Sequence, residues 1–107
     1  MKRMAVVALL ACACGPTVGD PCTTPNECGG QVCINQEWTP GGYCSRQCTL
    51  ADERSCPGGT ACIADGLAKD NPACFRQCRN QSDCRTGYVC RTVKDSVQSV
   101  CIGPTGL

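Results

Sequence analysis

The 107-residue chain contains no histidine. That removes Ser-His-Asp and Cys-His catalysis and the commonest general base. Aromatics are scarce: Trp38, Tyr43, Phe75 and Tyr88 are the whole set. No C-x2-C pair occurs, which argues against a thiolate zinc site and against a thioredoxin-like redox motif. No D-x-D-x-D-G loop occurs either. The acids Asp20, Glu27, Glu37, Asp52, Glu53, Asp65, Asp70, Asp83 and Asp95 are scattered, so no dedicated calcium site is expected. A chain this small offers little cleft to hold a sugar between two carboxylates. Without Lys2 and Arg3, acidic and basic residues nearly balance, which gives no case for nucleic acid. The expectation is a non-enzymatic protein with no catalytic residue, metal or cofactor.

Cysteine is what the chain has in excess, 14 residues in all. From Cys22 onward they form three blocks: Cys22-Cys28-Cys33-Cys44, Cys48-Cys56-Cys62-Cys74 and Cys78-Cys84-Cys90-Cys101. Each reads C-x5-7-C-x4-5-C-x10-11-C, and Ser45-Arg46-Gln47 and Phe75-Arg76-Gln77 join them. So few apolar side chains remain after the N-terminal segment that a packed core alone cannot offset backbone entropy. Crosslinks must replace it; a closed loop of about fifteen residues contributes roughly 3 kcal/mol in the chain-entropy model. The fold class expected is a small disulfide-rich one: three tandem four-cysteine modules (22–44, 48–74 and 78–101) with short β-hairpins and almost no helix. A repeat of roughly 28 residues predicts an elongated array with mainly neighbour contacts.

Disulfides persist in oxidising compartments, so the cysteines predict export. Lys2 and Arg3 form a positive n-region, and residues 4–11 are an apolar run. A bilayer span takes about twenty residues, so this run fits the h-region of a signal peptide, residues 1–11. Leu9-Leu10-Ala11-Cys12 resembles the bacterial lipobox. That resemblance implies diacylation of Cys12, cleavage before it and acylation of the new amine, with residues 12–21 as anchor and tether. Cys14, preceded by Ala13, is the alternative lipidation site. A third reading takes Ala11 and Ala13 as an A-x-A site that releases a soluble protein. Lipidating Cys12 leaves Cys14 unpaired, able to link two copies, whereas lipidating Cys14 leaves every remaining cysteine pairable. Ala13 is not the Asp that retains such lipoproteins in the inner membrane, so an outer-membrane location is expected in a host with two membranes. Residues 15–21, rich in Gly and Pro, read as an extended, unpacked tether.

Each third cysteine ends a similar tetrapeptide: Gly30-Gln31-Val32-Cys33, Gly59-Thr60-Ala61-Cys62, Gly87-Tyr88-Val89-Cys90. Glycine at that offset predicts a positive φ before a short strand. Hairpins are expected between the third and fourth cysteines, with Thr39-Pro40-Gly41-Gly42 as the clearest turn. Block two, with Leu67-Ala68-Lys69-Asp70-Asn71-Pro72, looks least regular. Thr49 reads as a helix N-cap with Asp52 in place of the usual Glu. Connectivity cannot be deduced from spacing alone. The pairing favoured on geometry is first to third and second to fourth, because crossed bridges tie each hairpin to the loop before it. That gives Cys22-Cys33, Cys28-Cys44, Cys48-Cys62, Cys56-Cys74, Cys78-Cys90 and Cys84-Cys101.

The spacing, with an acid before the second cysteine (Glu27-Cys28, Asp83-Cys84) and Gly-x-Val before the third, resembles dickkopf N-terminal and EB-like small modules. It also resembles short cysteine-rich lipoproteins of myxobacteria. Block two departs, with Ser55 at the acid position and Ala61 in place of Val. The resemblance implies compartment and architecture, and no receptor-binding role is carried over. Two surface features are candidates for contact. Trp38 and Tyr43 flank the turn, as an aromatic binding tip or as a cross-strand pair. Arg76, Arg79, Arg85 and Arg91 make block three basic, facing anionic headgroups or polysaccharide, or simply solvated beside Asp83 and Asp95. The sequon Asn80-Gln81-Ser82 matters only in a eukaryotic secretory path. The sequence thus predicts a lipid-anchored cell-envelope protein with a structural role or an unidentified protein or glycan partner. The alternative is a secreted, soluble inhibitor or toxin.

Overall fold

The computed structural model describes residues 16–93 and 96–107. The signal segment, Cys12, Cys14, Lys94 and Asp95 lie outside the described residues. Each block forms one antiparallel hairpin: β1 (Val32–Ile34) with β2 (Tyr43–Ser45), β3 (Thr60–Ala68) with β4 (Asn71–Arg76), and β5 (Val89–Thr92) with β6 (Ser99–Ile102). A short 3-10 helix precedes each hairpin, at Pro25–Cys28, Glu53–Ser55 and Gln81–Asp83. The small disulfide-rich class, the hairpins and the near absence of helix are thus present.

The register explains the crosslinks. In every hairpin the third and fourth cysteines stand directly opposite: Cys33 with Cys44, Cys62 with Cys74, Cys90 with Cys101. Side chains opposite one another leave the sheet on the same face. Both therefore reach down to the 3-10 segment, where the first and second cysteines wait. The bonds are Cys22–Cys33, Cys28–Cys44, Cys48–Cys62, Cys56–Cys74, Cys78–Cys90 and Cys84–Cys101. The two bridges of a module lie side by side, with three of their sulfurs within 4.8 Å of one another.

The residue before the second cysteine has a structural task. The Glu27 carboxylate accepts from the Thr23 and Thr24 N–H groups and the Thr23 hydroxyl. The Asp83 carboxylate accepts from Arg79 N–H at 2.7 Å and Asn80 N–H at 3.2 Å. Both carboxyls are held below the usual carboxylate range, chiefly by these backbone donors. In block two the Ser55 hydroxyl takes over. It accepts from Thr49 N–H at 2.9 Å and sits near the Asp52 carbonyl at 2.6 Å. Ser55 thus holds the N–H that follows the first cysteine, as Glu27 and Asp83 do, while in the block-two helix the capping box of the other two is replaced by a bond from Asp52 N–H to the Thr49 carbonyl. The N-cap of that helix is Asp52, which accepts from Arg54 N–H at 2.9 Å, and not Thr49.

Gly30, Gly59 and Gly87 have φ of 87°, 80° and 92°, the left-handed conformation the repeat implied. Block two forms the longest hairpin of the three. Its irregularity is a register shift between Ile63 and Ala68, where Asp65 turns at φ 61°.

Two expectations are corrected. The tether is not unpacked: Gly19 N–H donates to the Cys44 carbonyl at 2.9 Å and Cys44 N–H to the Asp20 carbonyl at 2.8 Å. It completes the free edge of β2, and Val18 reaches the core. The same rung recurs where Cys74 N–H donates to the Arg46 carbonyl at 3.1 Å, and a second kind of rung is made where Cys48 N–H and Cys78 N–H donate to the Pro72 and Ser99 carbonyls at 3.4 Å and 3.1 Å. Each spacer thus adds a strand-like edge to the hairpin that follows it. The body is elongated, with extents of 54 × 26 × 26 Å, yet contacts are not confined to modules adjacent in sequence. Module three packs on module one as well as on module two, because all three send side chains into one core. Ile34 and Tyr43 meet Ile63, Ala73 and Phe75, and these meet Tyr88, Val93, Val100 and Ile102. Gly103 N–H donates to the Trp38 carbonyl at 2.8 Å, closing the circuit.

Candidate functional site

The three modules meet at a stack of rings. Phe75 lies on Tyr43 with centroids 4.7 Å apart, and Tyr43 on Tyr88 at 5.7 Å. All three rings are buried. The Arg85 guanidinium caps the stack, 4.4 Å from the Tyr88 centroid. It also donates to three carbonyls of the first module and its tether: Gly19 at 2.7 Å, Pro40 at 2.8 Å and Gly42 at 2.6 Å. The Tyr88 hydroxyl donates to the Pro40 carbonyl at 2.9 Å, and the Tyr43 hydroxyl accepts from Arg76 N–H at 2.9 Å.

Those carbonyls converge because the turn before Tyr43 is tight. Gly42 has φ 82°, and a Cβ there would run into the Cys22 carbonyl. Only glycine lets the chain pass this close to the first bridge. Burial pushes the Tyr43 phenol far above its ordinary value and that of Tyr88 up to about 12. A raised folded-state pKa means that the tyrosines' packing contributes fully below their unfolded value. It is lost as pH rises through the folded one.

The aromatic tip read from the sequence does not form. Tyr43 is 1% exposed. Trp38 turns away from it: its indole N–H donates to the Gly66 carbonyl of module two at 2.7 Å. Both rings pin modules together, so neither stands as a protruding contact. Gly66 is the socket; a Cβ there would come within 2.7 Å of Phe75 Cε1.

The basic cluster divides in two. Arg85 and Arg91 are internal: Arg91 donates to the Gly103 carbonyl at 3.1 Å and 3.0 Å and to the Gly106 carbonyl at 2.6 Å. Arg76 and Arg79 are exposed. Beside the ring stack lies a cleft of about 360 Å³ whose charged lining is Asp20, Arg76, Asp83 and Arg85. Asp20 is already held by its own turn, accepting from Thr17 N–H at 2.9 Å. Asn80 Oδ1 accepts from Ser82 N–H at 3.1 Å, so the sequon amide serves as a cap. The clustered sulfurs of each module are all in disulfides and offer no thiolate to a metal.

No protein-family model, curated protein or solved structure matches the chain. What the structure itself supports is a compartment. Disulfides at this density persist outside the reducing cytosol, so the folded chain is extracytoplasmic or secreted. No helix among the described residues is long and apolar enough to cross a membrane.

Proposed function

We propose that the chain is a lipid-anchored, non-catalytic protein of the cell envelope, most consistent with the outer membrane, whose crosslinked body makes contact with a protein or a glycan. The observation that carries this reading is the pairing of crossed bridges in all three modules around one buried junction. The body is built to endure outside the cytoplasm, and its strongest polar groups are spent on holding modules together. The anchor is supported by Leu9-Leu10-Ala11-Cys12 behind a short apolar run. The resemblance to small dickkopf-N and EB-like modules and to myxobacterial lipoproteins supports the same compartment and modular build.

Three acyl chains on Cys12, or on Cys14, hold a protein far more firmly than the single chain that binds only reversibly. The expected outcome is partition of the natively expressed protein into the detergent phase, with an intact mass showing a triacylated N-terminal cysteine. The mass also decides between Cys12 and Cys14. A protein that stays in the aqueous phase with an unmodified N-terminus would replace this reading by the secreted inhibitor or toxin.

A further inference from the structure

The way the tether is seated fixes which face of the body looks at the lipid. Gly19 and Asp20 are hydrogen-bonded along β2, and Thr17 and Val18 lie in a notch of about 350 Å³ between modules one and two. Arg46 and Arg76 line that notch. Arg76 also lines the adjoining cleft that holds Arg79. All three arginines are exposed, and their guanidinium groups donate no hydrogen bond to the described residues. Among the described residues, Asp20 shares a cleft with Arg76, and Asp83 shares clefts with Arg76 and Arg79 and attracts both while also accepting backbone N–H donors; no acid lines the notch beside Arg46. Arg85 adds a further positive charge beside this face while its own donors are engaged.

Covalent geometry supplies the rest. From Cys12 to Pro16 the chain spans at most about 14 Å even when fully extended. From Cys14 it spans about half of that. Either lipidation site therefore keeps Pro16, and with it the entrance to the notch that Arg46 and Arg76 line, within roughly two screening lengths of the anchored cysteine at physiological salt.

We propose that the face formed by Arg46, Arg76 and Arg79 rests on anionic phospholipid headgroups of the membrane that carries the anchor. The inference rests on the lipid-anchor reading. Each arginine near such a surface gains enough to slow its attack by a solution reagent about fivefold. The body then lies against the membrane with its notch covered.

The test uses the full chain, purified with its native N-terminus. Intact mass is recorded first. The protein is then reconstituted in vesicles of phosphatidylcholine alone, or of phosphatidylcholine with phosphatidylglycerol. An arginine-specific dicarbonyl reagent is added at low and high salt, and labelling is mapped by mass spectrometry. Arg54, exposed in the second 3-10 helix, is the internal reference. The expected result is labelling of Arg46, Arg76 and Arg79 about fivefold slower than Arg54 on anionic vesicles at low salt, with the difference lost at high salt. An acylated protein whose four arginines label alike overturns this inference and leaves the anchor standing. Protection that is equal on neutral vesicles also overturns it, because charge is then not the cause. A mass without acyl groups overturns both readings.

Discussion

Replacing Cys56 and Cys74 together by alanine is expected to cost about 3 kcal/mol of stability. The bridge closes a loop with sequence separation 18, and the Cys74 side chain is fully buried beneath β4. Removing it frees the unfolded chain and leaves a small void beside the ring stack. Domains of this size have total stabilities of about 5–15 kcal/mol, so the loss is a large fraction. Thermal unfolding followed by the fluorescence of Trp38, the single tryptophan, should fall by on the order of 15 °C. A shift of only a few degrees would mean that apolar packing, not the crosslink, sustains module two.

Phe75→Ala is the second large effect, expected at about 3–5 kcal/mol. The ring is 0% exposed, stacks on Tyr43 and fills the space that Gly66 leaves open. Neighbours cannot collapse into the gap, because disulfides fix the strands on which they ride. All three modules share this contact, so the loss should appear as one cooperative transition at lower denaturant. Separate transitions for the modules would show that they fold independently and only touch. Trp38→Phe serves as the comparison. It keeps the ring and removes the indole donor to the Gly66 carbonyl, a loss of about 1 kcal/mol. The ratio of the two effects measures how much of the junction is packing and how much is polar pinning.

The modular layout was legible in the cysteine spacing, and so were the positive-φ glycines, because both are local; the pairing needed the added premise of hairpins. The opposed third and fourth cysteines follow from hairpin register, and the crossed bonds follow from that. The junction was not legible for a physical reason. Tyr43 precedes its fourth cysteine, Phe75 follows its own, and Tyr88 lies two before a third cysteine. Aligned by repeats, these rings hold unrelated positions; only the folded circuit brings them together. Arg85 was equally opaque. A long cation in a loop reads as surface, and nothing in the spacing reveals three carbonyls of another module aimed at its fork. The tether misled through composition: Gly and Pro describe a flexible linker until an open strand edge offers it hydrogen bonds. The departure at Ser55 illustrates the reverse, since a hydroxyl reaches the same N–H that a carboxylate serves elsewhere.

The candidate site follows the same logic. Trp38 and Tyr43 attracted notice because aromatics are rare in the chain; Tyr43 is buried and Trp38 partly buried at module contacts. With so few large rings, the fold places each where it joins two modules. The exposed surface is left mostly to charged and polar side chains and glycines, with Leu50 and Val97 as its exposed large apolar residues.

Mass mapping of a non-reduced proteolytic digest, after alkylation of the native protein without reductant, tests the central claim most directly. The account predicts no alkylation from Cys22 to Cys101, and crosslinked peptides joining the first to the third and the second to the fourth cysteine within every block. Labelled thiols among those positions, or a bridge running from one block to another, would contradict it.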